Sequence, residues 1–480
     1  MEILLLQRCA TIAPSQLGAN MKVKRVASNE PEPLKTASQE LGQNKIVLSE
    51  SQLPTNWYNI VAELPFDVPR PLHPTEDRAV EIDDFDWLWP IECLRIELQE
   101  GLYRTDPWIE IPESILDVYR RYRPSPLVRA RSLEKYLGTT AEIYYKREDL
   151  NPAGSHKFNT ALVQAYYAAR EQHSQIHTMV TDTGAGQWGA ALAMACETLG
   201  LKCCVFMIRK SFDEKPYRRY LMRMAGADVY SSPSELTETG RNILRDDPEN
   251  SGSLGIGMSE AIEYVKEDRG RRLALGCMSY YAVLHQSIIG LETKLQLEQI
   301  DRSPDLMLGC VGGGSNFTGF IAPFVPEKIG GSPIEFRAIE PDSIPTLSEG
   351  EYRYDWADFS ELTPRILMYT LGHRFVPPPV HSGGLRYHGK TPVLSALVKH
   401  KVVDTRTFEQ RRVFDAGRVF LRTEGVLAAP ESAHAVLGAI DAARDASSSK
   451  RNPVIVMCLS GHGYLDLKGF SDVLDLDSSN

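Results

Sequence analysis

From about residue 120 to 465, short apolar runs alternate with longer stretches whose apolar positions recur every three or four residues. Thr178-Met179-Val180 precedes the periodic segment Gln187 to Leu199, and Lys202-Cys203-Cys204-Val205-Phe206-Met207-Ile208 follows it. Leu306-Met307-Leu308 precedes Phe317 to Val325, and Glu335-Phe336-Arg337-Ala338-Ile339 comes next. Pro453-Val454-Ile455-Val456-Met457-Cys458 closes the series. Short runs rich in β-branched residues read as strands, and the periodic stretches between them read as amphipathic helices. The alternation predicts an α/β fold on mostly parallel sheet. No repeat of fixed period stands out.

Both ends depart from this texture. Met1 to Leu6 is apolar, but it is too short for a signal sequence and has no basic lead-in. Residues 7 to about 45 are polar and weakly patterned and predict a loose arm, while acidic Glu2 and Glu30 speak against a transit peptide. Residues 55 to 110 are rich in Pro, Trp and acidic side chains and predict an extended wrap over a body. We therefore expect an arm and wrap over 1–95 and a main fold over 96–480. The Ser/Asp-rich last ten residues predict a frayed end.

Length and charge narrow the field. The 480 residues suit two lobes with an appendage. A net charge of −10 argues against a nucleic-acid binder, and no apolar run reaches a membrane span. The eight cysteines are scattered without a CxxC pair. They read as free thiols in a reducing, cytoplasmic setting, not as a disulfide framework or a zinc site.

The candidate chemistry falls at strand-to-helix turns, where open α/β sheets place their ligands. Lys146-Arg147-Glu148-Asp149-Leu150-Asn151-Pro152-Ala153-Gly154-Ser155-His156-Lys157-Phe158-Asn159 reads as strand, polar turn and helix start, with Ser155 as N-cap. Lys157 then lies in the first helical turn, where the positive end of the helix dipole and burial both favour a neutral amine. Such an amine can form a Schiff base. Taken alone, it is equally a solvated surface lysine. Thr181-Asp182-Thr183-Gly184-Ala185-Gly186-Gln187-Trp188-Gly189 lets several backbone N–H groups converge on a carboxylate or phosphate, with Asp182 at the mouth. Gly312-Gly313-Gly314-Ser315-Asn316 fits neither the Walker nor the dinucleotide pattern and suits a small phosphate ester. In Leu459-Ser460-Gly461-His462-Gly463, Ser460 is placed to hydrogen-bond a ring nitrogen.

Together with Glu424-Gly425 and Glu431-Ser432-Ala433-His434-Ala435, these motifs resemble the tryptophan synthase β chains, fold-type II pyridoxal-phosphate enzymes, in the same order over roughly 95 to 470. The segment Ser382-Gly383-Gly384-Leu385-Arg386-Tyr387-His388-Gly389 and the long N-terminal extension resemble the stand-alone second class. The resemblance implies two lobes, each with a mostly parallel sheet flanked by helices: a smaller one mostly within 158–295 and a larger one mostly within 120–157 and 296–470. It implies that Lys157 binds pyridoxal 5'-phosphate and removes the substrate α-proton. His156, Asn159, Gly312, Gly313, Gly314, Ser315, Asn316, Glu424 and Ser460 would complete the cofactor site, Ser460 at the pyridine nitrogen and Glu424 near the 3-hydroxyl. Thr183, Gly184, Ala185, Gly186 and Gln187 would bind the substrate carboxylate, beside Trp188. The implied reaction joins serine or O-phosphoserine to indole through an aminoacrylate, giving L-tryptophan. It implies a homodimer not dependent on an α subunit, and family members often use a monovalent cation.

Two departures bear on specificity. The family carries Glu where this chain has Asp182, one methylene shorter. That leaves open another nucleophile in a specialised pathway, and a lyase that releases pyruvate. Arg386 replaces an Asp of first-class β chains, and arginine is a bidentate anion partner. It suggests an anionic leaving group, such as the phosphate of O-phosphoserine. His381 and His388 lack metal-ligand spacing, His434 reads as a packed core histidine, and Glu214 to Tyr220 as a solvated helix start.

Overall fold

The computed structural model describes residues 43–171, 175–378, 380–448 and 451–477. The arm expected over 7–45 lies outside these residues except for its last three positions, as do the final three residues of the chain. A seven-stranded sheet runs Lys45–Ile46, Leu127–Arg129, Glu142–Arg147, Val454–Leu459, Leu306–Cys310, Glu335–Pro341, Asp404–Phe408. Its last five strands are parallel, and the first two pair antiparallel at one edge. A second sheet of four parallel strands runs Ala227–Ser232, Lys202–Ile208, Thr178–Thr183, Arg271–Leu273. Each sheet anchors one lobe of a fold-type II architecture.

The sequence explains the layering. Every residue of Val454–Leu459, Leu306–Cys310 and Thr178–Thr183 is buried, as expected of parallel strands covered on both faces. The alanine-rich helix Gln187–Leu199 ends at Gly200, whose left-handed backbone lets its N–H return to the last turn. Helices Arg131–Leu137, Gln410–Glu424 and Pro430–Ser448 cover one face of the large sheet. The other face shares a continuous core with the small lobe and with the chain before residue 126.

The stretch expected to be an extended wrap carries more regular structure than that. Asn56–Tyr58 and Trp108–Glu110 pair antiparallel, and Ile91–Glu97 is a helix. Trp57 is fully buried against His285, with ring centroids 4.8 Å apart. Its large apolar surface pins the segment to the central helix Tyr280–Gln299.

Behind the strand Glu142–Arg147 lies a buried charge network. Glu292 accepts from Arg123 Nε at 2.8 Å, Lys146 Nζ at 2.7 Å and the Ser125 N–H at 3.0 Å. Burial would raise the Glu148 carboxyl, but the charge and hydrogen bonds of Arg123 outweigh it and hold it down at about 2. Two cations and two carboxylates balance here, so removing one member strands a buried charge. Glu292→Ala should cost about 3–5 kcal/mol in urea unfolding. A loss under about 1 kcal/mol would show that water takes the vacated place.

Candidate active site

The lysine-bearing turn follows the C-terminal end of the Glu142–Arg147 strand. Ala153 and Gly154 adopt positive φ, of 57° and 70°, and swing the chain across the sheet. Ser155 is then extended and bridges to Gly461, so it is not the N-cap expected from the sequence. His156 takes the cap position, without a side-chain cap bond, and the helix runs Lys157–Ala169. The His156 backbone N–H donates to the Ser460 carbonyl at 3.0 Å. Burial and then the adjacent Lys157 charge push the His156 ring down to about 3, so it is neutral at pH 7. A carbonyl only accepts, so the ring contact to Ser460 O at 3.1 Å makes Nδ1 the protonated nitrogen.

Lys157 lines two adjoining cavities. The first, about 410 Å³, is polar and is bounded by His156, Gly312 to Asn316, Glu431 and Ser460. A Cβ on Gly312 would sit 2.4 Å from the Gly384 carbonyl oxygen, and one on Gly313 would sit 2.6 Å from Cys277 Sγ. Gly314, at φ 108°, turns the chain into the helix Ser315–Ile321. Ser315 Oγ and Asn316 Nδ2 are buried with no partner among the described residues. Backbone N–H groups and two idle donors beside a tight glycine bend suit a phosphate. Across the cavity, Ser460 Oγ lies 2.7 Å from Ser432 Oγ and 3.4 Å from Cys310 Sγ. A neutral hydroxyl there can hydrogen-bond a pyridine nitrogen without protonating it. The residues present fit pyridoxal phosphate.

Two expected members of this site stand elsewhere. Glu424 ends the helix Gln410–Glu424, and its carboxylate accepts the Leu133 N–H at 2.7 Å. Glu431 is the carboxylate that lines the cavity: Oε1 accepts the Gly384 N–H at 2.7 Å, and Oε2 is buried without a partner among the described residues. Both glutamates belong to one motif, and Pro430 opening the next helix was the signal for Glu431. Asn159 points the other way, because positions i and i+2 of a helix do not share a face. It accepts from Arg123 at 3.0 Å and donates to Glu148 at 3.1 Å and Gln286 at 3.0 Å.

The second cavity, about 550 Å³, is walled mainly by apolar groups, among them Leu254, Met258, Leu275, Met278, Trp188 and Tyr387. Asp182, Thr183, Gly184, Ala185 and Gln187 line it from the small lobe. Gly186, at φ 91°, bends the chain behind them into the helix Gln187–Leu199. A Cβ on Gly184 would sit 2.9 Å from the Gly383 carbonyl oxygen, so the lobes meet closely there. Burial raises the Asp182 carboxyl to about 7, against smaller lowering by a backbone hydrogen bond and the Lys157 charge. Trp188 donates its indole N–H to Thr181 Oγ1 at 2.6 Å and stands as a fixed wall. Arg386 lines neither cavity. It is buried, donates to the Pro377 carbonyl at 3.0 Å, and leaves Nε without a partner among the described residues.

The arrangement is one lysine shared by a phosphate-and-pyridine chamber and an apolar chamber holding a single half-titrated carboxyl. Comparison with known proteins agrees. Residues 118–461 match the family model for pyridoxal-phosphate dependent enzymes. The tryptophan synthase beta chain 2 of Methanothermobacter thermautotrophicus is 48% identical over 90% of this chain and 99% of its own. That of Thermotoga maritima is 47% identical over 88% and 98%. Among solved structures, a bacterial-type threonine deaminase from T.th. (TM-score 0.53, 19% identity, 73% of this chain and 97% of that one) shares the fold. So does maize serine racemase (TM-score 0.51, 17%, 76% and 98%). The chain belongs to the pyridoxal-phosphate dependent enzymes and, within them, to the tryptophan synthase beta chain family.

Proposed function

We propose that this protein makes L-tryptophan by replacing the side-chain hydroxyl of serine with indole. The observation that carries this reading is that Lys157 lines both chambers, with Asp182 across the apolar one. Lys157, Gly312 to Asn316, Glu431 and Ser460 would hold pyridoxal phosphate, which supplies an electron sink for the amino acid's α-carbon. Backbone N–H groups of Thr183 to Gln187 receive the substrate carboxylate. The Lys157 amine takes up the α-proton and later returns it. Asp182, protonated, gives a proton to the departing hydroxyl; ionised, it accepts the proton that indole sheds as carbon–carbon bonding completes. The apolar walls stack the indole and keep water from competing with it.

The finer features of the reading are a cytoplasmic homodimer that works without an α subunit. Free thiols at all seven described cysteines suit a reducing compartment, and two-fold dimers are the commonest assemblies. No described helix is long and apolar enough to cross a membrane. Purified protein with serine and indole should give tryptophan in excess of pyruvate. Pyruvate as the main product, with or without indole, would point instead to a lyase.

Donor choice follows from Arg386. Its buried, unpartnered Nε can offer a charge-assisted bond to an anionic leaving group. Arg386→Ala should lower turnover of O-phosphoserine about 10- to 100-fold more than that of serine. Equal losses with the two donors would remove Arg386 from donor selection.

A further inference from the structure

The Glu214 to Tyr220 cluster, which reads as a solvated helix start, is instead partly buried across the cleft. Arg218 is 1% exposed. Its Nη2 donates to Asp466 Oδ2 at 2.6 Å, and Lys215 Nζ donates to Asp466 Oδ1 at 2.8 Å. Both oxygens of one large-lobe carboxylate are thus taken by small-lobe cations. Asp466 is itself fixed, since its N–H donates to the carbonyl of Gly463, the last residue of the Ser460 turn, at 2.8 Å. Lys215 reaches further, to the His381 carbonyl at 3.4 Å, beside the Gly383-Gly384 wall of the cavities.

The other end of Arg218 touches the substrate loop. A Cβ on Gly186 would lie 2.9 Å from Arg218 Cβ and 3.1 Å from Cδ, so the arginine stem packs directly against this glycine. Gly186 is the hinge that aims the Thr183 to Gln187 amides into the cavity. The same side chain therefore buttresses the small-lobe loop with its methylenes and grips the large lobe with its guanidinium. A buried ion pair contributes little net stability compared with apolar packing, but it fixes one geometry.

We infer that Arg218 and Asp466 form a cross-cleft positioning pair that holds the Thr183–Gln187 amides at the distance a substrate carboxylate needs. This rests on the reading of that loop as the carboxylate site, and the test separates the two. Equilibrium titration of the holoenzyme with serine and with serinamide measures how strongly the carboxylate is recognised. The unaltered protein should prefer serine, and the preference should fall about tenfold or more in Arg218→Met, which keeps the stem but loses the guanidinium. Arg218→Lys should retain most of the preference. The double variant Arg218→Met/Asp466→Asn should be no worse than either single one, because the pair acts as a unit. Indole KM and bound cofactor should stay unchanged. If Arg218→Met does not fold, Asp466→Asn, which removes charge at constant size, gives the answer. An unaltered preference in a folded variant overturns the positioning pair. Equal binding of serine and serinamide by the unaltered protein overturns the carboxylate site itself.

Discussion

Lys157→Ala should leave a folded protein whose tryptophan formation is at least about 10³-fold slower. The fold has little reason to change. Alanine is the best helix former, and position 157 opens the Lys157–Ala169 helix with its neighbours His156 and Phe158 already buried. The chemistry has every reason to change, because no other amine lines either chamber among the described residues. One side chain holds the cofactor and moves the α-proton, so its removal takes both roles together. Lys157→Arg should fail as badly, since a guanidinium stays protonated and cannot accept a proton at neutral pH. A second readout is independent of turnover. Borohydride should fix the cofactor to the unaltered chain at residue 157, found by peptide mapping, and should fix none to Lys157→Ala. If Lys157→Ala kept more than a tenth of the parent rate, the assignment of this lysine would be wrong.

What the sequence made legible, and what it hid, follows from the range of the interactions concerned. The helix Gln187–Leu199 and the strand Lys202–Ile208 have the bounds that the apolar pattern predicts, because periodicity is a local property. The glycine bend at 312–314 and the serine at 460 were legible because strand-end turns carry their chemistry in consecutive residues. Most of the failures concern a partner that arrives from elsewhere. Arg218 looks like a surface residue until Asp466, 248 positions away, is brought against it. Glu424 and Glu431 are equally plausible on paper; only the packing of Leu133 on one and Gly384 on the other tells them apart. Ser155 is drawn out of its cap by an isolated bridge with Gly461, which no cap preference foretells. Asn159 differs for a local reason, the rotation between i and i+2 on a helix.

Asp182→Asn should slow tryptophan formation by about 10² to 10⁴-fold and should erase a pH dependence centred near 7. Burial raises this carboxyl because the cavity offers it no compensating donor strong enough to favour the anion. It is therefore protonated below about pH 7 and ionised above. The two halves of the reaction need opposite forms. Loss of the serine hydroxyl needs the acid, so pyruvate release from serine without indole should fall as pH rises through that value. Capture of the indole proton needs the carboxylate, so kcat/KM for indole should rise over the same range. In Asp182→Asn both inflections should vanish, and an inflection that persists would assign the titration to another group. The family's longer side chain does not restore what is lost. Asp182→Glu must fit beside Gly257, where even a Cβ would stand 3.2 Å from Asp182 Cβ. A shift of about 1 Å in the carboxyl can cost about 10²-fold. Stability should move the other way. A folded pKa raised above the unfolded one gives stability that is complete below the unfolded value and lost as pH climbs through the folded value. The asparagine has no proton to lose, so at pH 8 it should be more stable than the parent by on the order of a few kcal/mol in urea, with the gain gone at about pH 4. A protein that gains stability at pH 8 while losing its pH-dependent chemistry is the signature of a carboxyl buried for its reactivity.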